Sequence, residues 1–187
     1  MHTIITADRQ LFGYINDHFH NNFFDLLMPF VRNSITWMPL YIFLLFFILL
    51  NFTKDKWQWI ALTACTVILT NFISSNLIKD HIMRLRPCND PAFADRIRFL
   101  LSYRPQSSSF TSSHAVNHFA MATFFFFTLK KYIGNAAWLF IFWAALICYA
   151  QVYIGVHFPL DVTCGAILGI VFGYLSARLY NRYFSLM

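Results

Sequence analysis

The sequence predicts an all-α integral membrane helical bundle, with about five transmembrane helices behind an N-terminal interfacial amphipathic helix. Three observations carry this. The 187 residues are 58% hydrophobic and 20% aromatic but only 12% charged, more apolar than the core of a soluble domain this size requires. Apolar runs long enough to cross a hydrocarbon layer of roughly 30 Å recur along the chain. Polar and charged residues gather where those runs end.

Residues 1–33 come first. Leu11, Ile15, Phe19, Phe23, Leu26, Leu27 and Phe30 recur at helical spacing among Asp17, His18, His20, Asn21, Asn22 and Asp25, the pattern of a helix resting in the interface plane. Asp8 and Arg9 interrupt the start, and no apolar core with a small-residue cleavage site precedes the first span. The segment therefore reads as retained.

Spans are expected at 35–52, 57–78, 115–129, 136–154 and 160–179. The third is short and carries Asn117 and His118, reaching a spanning length only when counted from residue 112. Gly165, Gly169 and Gly173 form a small-residue stripe that packs the last span inside the bundle. Cys65, Cys148 and Cys164 fall within spans and only Cys88 in a loop, so no disulfide framework is expected. Neither repeats nor linkers divide the chain, which reads as one domain over 1–187.

With five crossings, the end of span two, the start of span three, the end of span four and the start of span five share one face. Lys79, Arg84, Arg86, Arg96, Arg98 and Arg104 lie on that face with N-terminal Arg9 and Arg32, and the loop cations face only Asp80, Asp90 and Asp95, so the expected partner is an anion and not a nucleic acid. The other face carries Lys54, Lys56, Lys130, Lys131, Arg178 and Arg182, which confounds a bare positive-inside count. If the first set serves a ligand, the second marks the cytoplasm and the site is extracytoplasmic.

Three segments on that face carry chemistry. In KDHIMRLRP, Lys79 and Arg86 are seven residues apart and would project from one face of a helix continuing from span two until Pro87 ends it. A point charge and a bidentate fork would then converge. In FTSSH, hydroxyl residues precede an apolar helix. This is ordinary N-cap chemistry, but a helix start also offers free N–H groups and a positive dipole end to phosphate. His114 at that end suits a general acid. In AQVYIGVHFPLD, Pro159 fits a first helical turn, placing His157 just before the helix and Asp161 within it. A carboxylate on one ring nitrogen leaves the other free to attack phosphorus, through a phosphohistidine intermediate.

These blocks resemble those of the type 2 phosphatidic acid phosphatase (PAP2) family: KDHIMRLRP matches Lys-x6-Arg-Pro, FTSSH is similar to Pro-Ser-Gly-His, and VHFPLD matches the His-x3-Asp end of the third block. The resemblance implies a membrane enzyme that removes phosphate from lipid phosphates or pyrophosphates without metal or other cofactor. It assigns His157 as nucleophile, Asp161 as its partner and His114 as acid and then base, with an active-site loop over 79–113. Lys79, Arg86, Ser112 and the Ser113 backbone would bind phosphate. Candidate substrates are undecaprenyl pyrophosphate, lipid A, phosphatidic acid and phosphatidylglycerophosphate, and a bacterial inner membrane is the expected location.

The chain departs from the family pattern at Thr111 and Ser113, where Pro and Gly are usual. It departs again at Ala150-Gln151, where Ser-Arg is usual. Gln151 can donate to a phosphate oxygen but brings no charge, so a third cation would come from Arg84 or Arg104 or be absent. Two other classes remain open: a binding or transport protein that uses the cationic pocket without chemistry, and a metal site on His114 and His118, one helical turn apart. The metal reading lacks an HExxH base, since Ala115 follows His114.

Overall fold

In the computed structural model, which describes residues 2–93 and 96–187, the chain forms α1 (His2–His18), α2 (Asn22–Arg32), α3 (Met38–Asn51), α4 (Lys56–Phe72), α5 (Ser113–Ile133), α6 (Trp138–Tyr153) and α7 (Pro159–Tyr183). Asp95, one of the three acids counted in the loop, lies outside the described residues.

Four helical stretches are long and apolar enough to span a membrane: Ser34–Asn51, Lys56–Ile78, Ser113–Tyr153 and Pro159–Tyr183. The third is 41 residues long and folds back on itself. Gly134 takes φ +59°, a conformation that favours glycine, and α5 and α6 pack against each other on either side of it. The four stretches thus hold the five expected crossings.

Helix α5 is the axis of the bundle and contacts α4, α6 and α7. Its approach to α7 is unusually close because of the glycine stripe. A Cβ at Gly169 would lie 2.4 Å from the Val116 carbonyl oxygen, and one at Gly173 2.3 Å from that of Ala120. Nothing larger than hydrogen fits there, so the two backbones meet directly. Their N-terminal ends are tied as well, through the Ser112 N–H donating to the Asp161 carbonyl at 3.2 Å. The His114 and Asp161 segments are therefore held together by helix packing.

The N-terminal segment differs from the single interfacial helix expected over 1–33. It is two helices, α1 and α2, with Asn21 capping α2 through its side chain. The predicted apolar stripe does face outward, with Leu11, Phe23, Leu26 and Phe30 exposed. A second stripe, Asp8, Phe12 and Asn16, is buried. Asn16 donates to the carbonyls of Arg98 and Tyr153 at 3.1 Å each, and Phe12 packs edge-on against Phe158. One face of the helix thus packs on the protein, because spacing of four residues places these three side chains together.

A further correction concerns Lys79 and Arg86. The helix does not continue between them. The regular part of α4 ends at Phe72, a π-helical turn covers Ile73–Ile78, and Arg86 is extended at φ −75°, ψ 153°. Arg86 precedes Pro87, whose ring clashes with a helical preceding residue, so proline acts one residue earlier than its own position.

Candidate active site

The loop after α4, the start of α5 and the α6–α7 turn meet at His157, which is 1% exposed. Gly155 makes the turn possible. Its φ is +85°, and a Cβ there would lie 2.5 Å from the Ile97 side chain. The main chain then brings the N–H groups of Val156 and His157 to the Gln151 carbonyl, at 3.2 and 3.3 Å, which aims the imidazole into the bundle.

Asp161 is fully buried, and its carboxylate is heavily bonded. Oδ1 accepts from Arg84 Nη1 at 2.5 Å, while Oδ2 accepts from the Ser109 hydroxyl at 2.5 Å and the Phe158 N–H at 3.0 Å. The His157 Nδ1 lies 3.6 Å from Asp161 Oδ2 and 3.4 Å from Ser109 Oγ. Carboxylate and hydroxyl thus flank one ring nitrogen. Because the Ser109 proton is engaged on Asp161, this network assigns the ring proton to Nδ1 and leaves Nε2 unprotonated, as an acceptor.

That Nε2 faces Arg86 Nη1 at 3.2 Å. Arg86 is held by the Ser107 carbonyl at 2.9 Å, the Ser107 hydroxyl at 3.0 Å and the carbonyls of Val156 and Ser108 at 3.3 and 3.4 Å. Burial pulls the His157 pKa down to about 4, Arg86 and Lys79 adding to the shift and Asp161 opposing it. The imidazole is therefore neutral at ordinary pH, as a nucleophile must be.

Lys79 stands half-buried in the turn after α4. Burial, then the charge of Arg86, lowers its pKa to about 8. Although they share no helix, the two cations reach one another electrostatically. His114, in the first turn of α5, stacks parallel to His118 with ring centres 6.0 Å apart. His118 is tied by Nδ1 to the His114 carbonyl at 2.8 Å and by Nε2 to the Tyr41 hydroxyl at 3.4 Å. Among the described residues no group of three His, Cys, Asp or Glu side chains is placed to hold a metal.

Ser112 is buried and caps α5, its hydroxyl accepting from the Ala115 N–H at 3.4 Å. The Ser113 hydroxyl lies 3.1 Å from that of Ser75. Gln151 is fully buried, and neither atom of its amide has a hydrogen-bond partner among the described residues. A buried amide left without partners is costly.

Of the two arginines expected to offer a third cation, Arg84 is committed to carboxylates. Arg84 is shared between Asp161 and Asp8, at 2.5 Å each, and Arg104 donates to the Cys88 carbonyl at 2.8 Å. Arg32, at the end of α2, has no ion pair or hydrogen bond to its side chain among the described residues, and it lies within electrostatic reach of Arg86 and His114. Sequence reasoning placed Arg32 on this face without giving it a role, and missed the contacts of Ser109 and Asp8. Ser109 hid inside a serine run read as capping, and Asp8 is remote in sequence from the residues it meets.

The profile of the PAP2 superfamily matches residues 59–185. Lipid A 4'-phosphatase of Bacteroides thetaiotaomicron is 31% identical over 173 residues, covering 90% of this chain and 74% of that protein. Lipid A 4'-phosphatase of Porphyromonas gingivalis is 28% identical over 186 residues, 96% of this chain and 75% of that protein. Among solved structures, Aquifex aeolicus LpxE superposes with a TM-score of 0.67 at 24% identity, over 90% of this chain and 93% of that one. A transmembrane PAP2 type phosphatidylglycerolphosphate phosphatase from Bacillus subtilis superposes with a TM-score of 0.71 at 20% identity, over 98% and 89%.

Proposed function

The chain belongs to the PAP2 superfamily and is a membrane lipid phosphatase; on that premise we propose that it removes a phosphate from a lipid of the lipid A type without metal, through a phosphohistidine at His157. The observation that carries the reading is the buried imidazole with Asp161 and Ser109 at Nδ1 and a guanidinium at Nε2.

In the first step His157 Nε2 attacks phosphorus, a P–N bond forms and the P–O bond to the lipid breaks. His114 gives its proton to the departing oxygen. Asp161 stabilises the charged imidazole that results. In the second step His114 takes a proton from water, the resulting oxygen attacks phosphorus, and the P–N bond breaks to free phosphate. Lys79 and Arg86 hold the phosphate oxygens, with the Ser113 backbone and Ser112 at the positive end of α5. The Gln151 amide supplies a neutral donor from α6. Arg32 supplies the third charge that position 151 lacks, since a cation without a counter-charge beside two others calls for an anion.

Relatives named as lipid A 4'-phosphatases support a sugar-linked phosphomonoester on an acylated lipid. Undecaprenyl pyrophosphate is the second substrate to test, because an undecaprenyl-diphosphatase of Sulfolobus acidocaldarius is 29% identical over 146 residues. The location we propose is a bacterial inner membrane with the site outside the cytoplasm. On the site's face, Arg9, Arg84 and Arg98 are paired with Asp90, Asp161 and Asp25. At the opposite end, Lys54, Lys56, Lys130 and Lys131 have no carboxylate partner among the described residues, which fits the positive-inside pattern.

The test is phosphate release by purified protein from lipid A, undecaprenyl pyrophosphate, phosphatidic acid and phosphatidylglycerophosphate in detergent with excess EDTA, comparing the native chain with His157→Ala. Release from lipid A that survives EDTA and is abolished by His157→Ala is the expected result. EDTA-sensitive release, or turnover by His157→Ala, would overturn it.

A further inference from the structure

We propose that Asp8 of α1 is a positioning residue for the phosphatase reaction, holding Arg84 on Asp161 and so setting the orientation and charge with which Asp161 supports His157. The inference rests on the roles proposed above for His157 and Asp161.

The geometry is a chain of three side chains. Asp8 Oδ2 accepts from Arg84 Nη2 at 2.5 Å, and Arg84 Nη1 donates to Asp161 Oδ1 at 2.5 Å. The other oxygen of Asp8, Oδ1, accepts from the Leu160 N–H at 2.7 Å, next to Asp161 in the first turn of α7. Asp8 and Asp161 are almost wholly buried, at 4% and 0% side-chain exposure, and Arg84 is at 20%. The guanidinium also lies 4.4 Å from the Phe158 ring centre. Phe12, one helical turn beyond Asp8, packs on that same ring at 5.3 Å. Helix α1 thus grips both neighbours of the His157–Asp161 pair, Phe158 and Leu160.

One guanidinium between two carboxylates leaves the group with a net negative charge. That balance lets Asp161 stabilise the imidazolium formed when His157 attacks. If Asp8 is made neutral, the whole positive charge of Arg84 falls on Asp161, and half of the arginine fork loses its anchor. Asp161 then offers less to the charged imidazole, so the chemical step slows. Phosphate binding by Lys79 and Arg86 is untouched. The effect belongs in kcat, not KM.

Asp8→Asn separates the two duties of the residue. The Asn side-chain oxygen still accepts from the Leu160 N–H, so the helix start stays capped, while the charge is gone. Asp8→Glu keeps the charge. The measurement is steady-state phosphate release from lipid A micelles, or from undecaprenyl pyrophosphate if the native chain prefers it, with melting temperature followed in the same detergent. His157→Ala is run alongside.

Asp8→Asn is expected to lower kcat about tenfold, near 1.4 kcal/mol, with KM changed less than about twofold and the melting temperature retained. Asp8→Glu recovers most of kcat. The losses in Asp8→Asn and Arg84→Gln are less than additive in the double variant, because both act through one contact. Should Asp8→Asn fail to fold, Asp8→Ser, a short neutral acceptor, carries the same comparison. Native kcat in the neutral variant, a loss that appears in KM, a loss matched by Asp8→Glu, or full additivity overturns the inference. If His157→Ala is inactive while Asp8→Asn is as active as the native chain, only this inference falls. Turnover by His157→Ala, or none by the native chain on any of the four lipids, overturns the underlying reading and this inference with it.

Discussion

Ser109 and Asp161 share a 2.5 Å hydrogen bond, and the same hydroxyl lies 3.4 Å from His157 Nδ1. The serine thus completes the link between carboxylate and imidazole, whose direct separation of 3.6 Å is longer than a good hydrogen bond. Ser109→Ala is expected to lower kcat about tenfold and leave KM within about twofold. The variant should lose about 1–3 kcal/mol of stability, the cost of leaving buried polar groups short of a partner. Steady-state kinetics and thermal unfolding in one detergent check both. An unchanged kcat would mean that Asp161 closes on the ring directly.

Lys79 is expected to set the alkaline limit of activity. Its pKa is drawn down to about 8 by burial and by Arg86, so its positive charge is present below that pH and lost above it. The expected consequence is that kcat/KM falls as pH rises through about 8. Lys79→Arg, whose charge persists far higher, should move this limb upward. A pH profile of initial rates from pH 6 to 10 measures it, and a limb unmoved by the substitution would assign it to another group.

In the proposed reading, Arg32 and Gln151 divide the work of the arginine usual at position 151. Loss of a charged donor costs more than loss of a neutral one, roughly 1.5–3 against 0.5–1.5 kcal/mol. Arg32→Gln should therefore raise KM about tenfold or more, and Gln151→Leu only about threefold. Inhibition constants for orthophosphate should rank the variants in the same order. Equal effects would argue against a charge supplied from α2.

Gly169→Ala tests the helix contact on which the site depends. Its new Cβ would meet the Val116 carbonyl oxygen at 2.4 Å, a backbone atom that cannot turn aside. Forcing the helices apart is expected to destabilise by about 1–3 kcal/mol and to reduce kcat by displacing His114 from His157. Gly13→Ala, where a Cβ would have nothing within 4 Å, serves as the control.

Much of this molecule is legible in one dimension. The spans are readable because a lipid core demands long apolar helices whatever lies beside them. His157, Asp161, His114, Lys79 and Arg86 are readable as candidates because each stands near a helix end or a proline, and phosphate chemistry restricts which side chains would serve there. The Lys79–Arg86 pair shows the boundary. Their convergence was expected for the wrong reason, a shared helix, when burial of an extended loop against the α6–α7 turn brings them together.

The sequence by itself therefore determined the membrane setting, the all-helical architecture and the family, and it named the candidate side chains of the site. These rest on composition, periodicity and short spacing, which need no partner in space. Only the tertiary structure decided that Ser109 lies between carboxylate and imidazole, that Arg84 is spent on Asp8 and Asp161, and that α1 supports the site. Those contacts join residues 52, 77 and 76 positions apart. At such separations no local rule of chain geometry relates one residue to another, and the packing of whole helices decides which side chains meet.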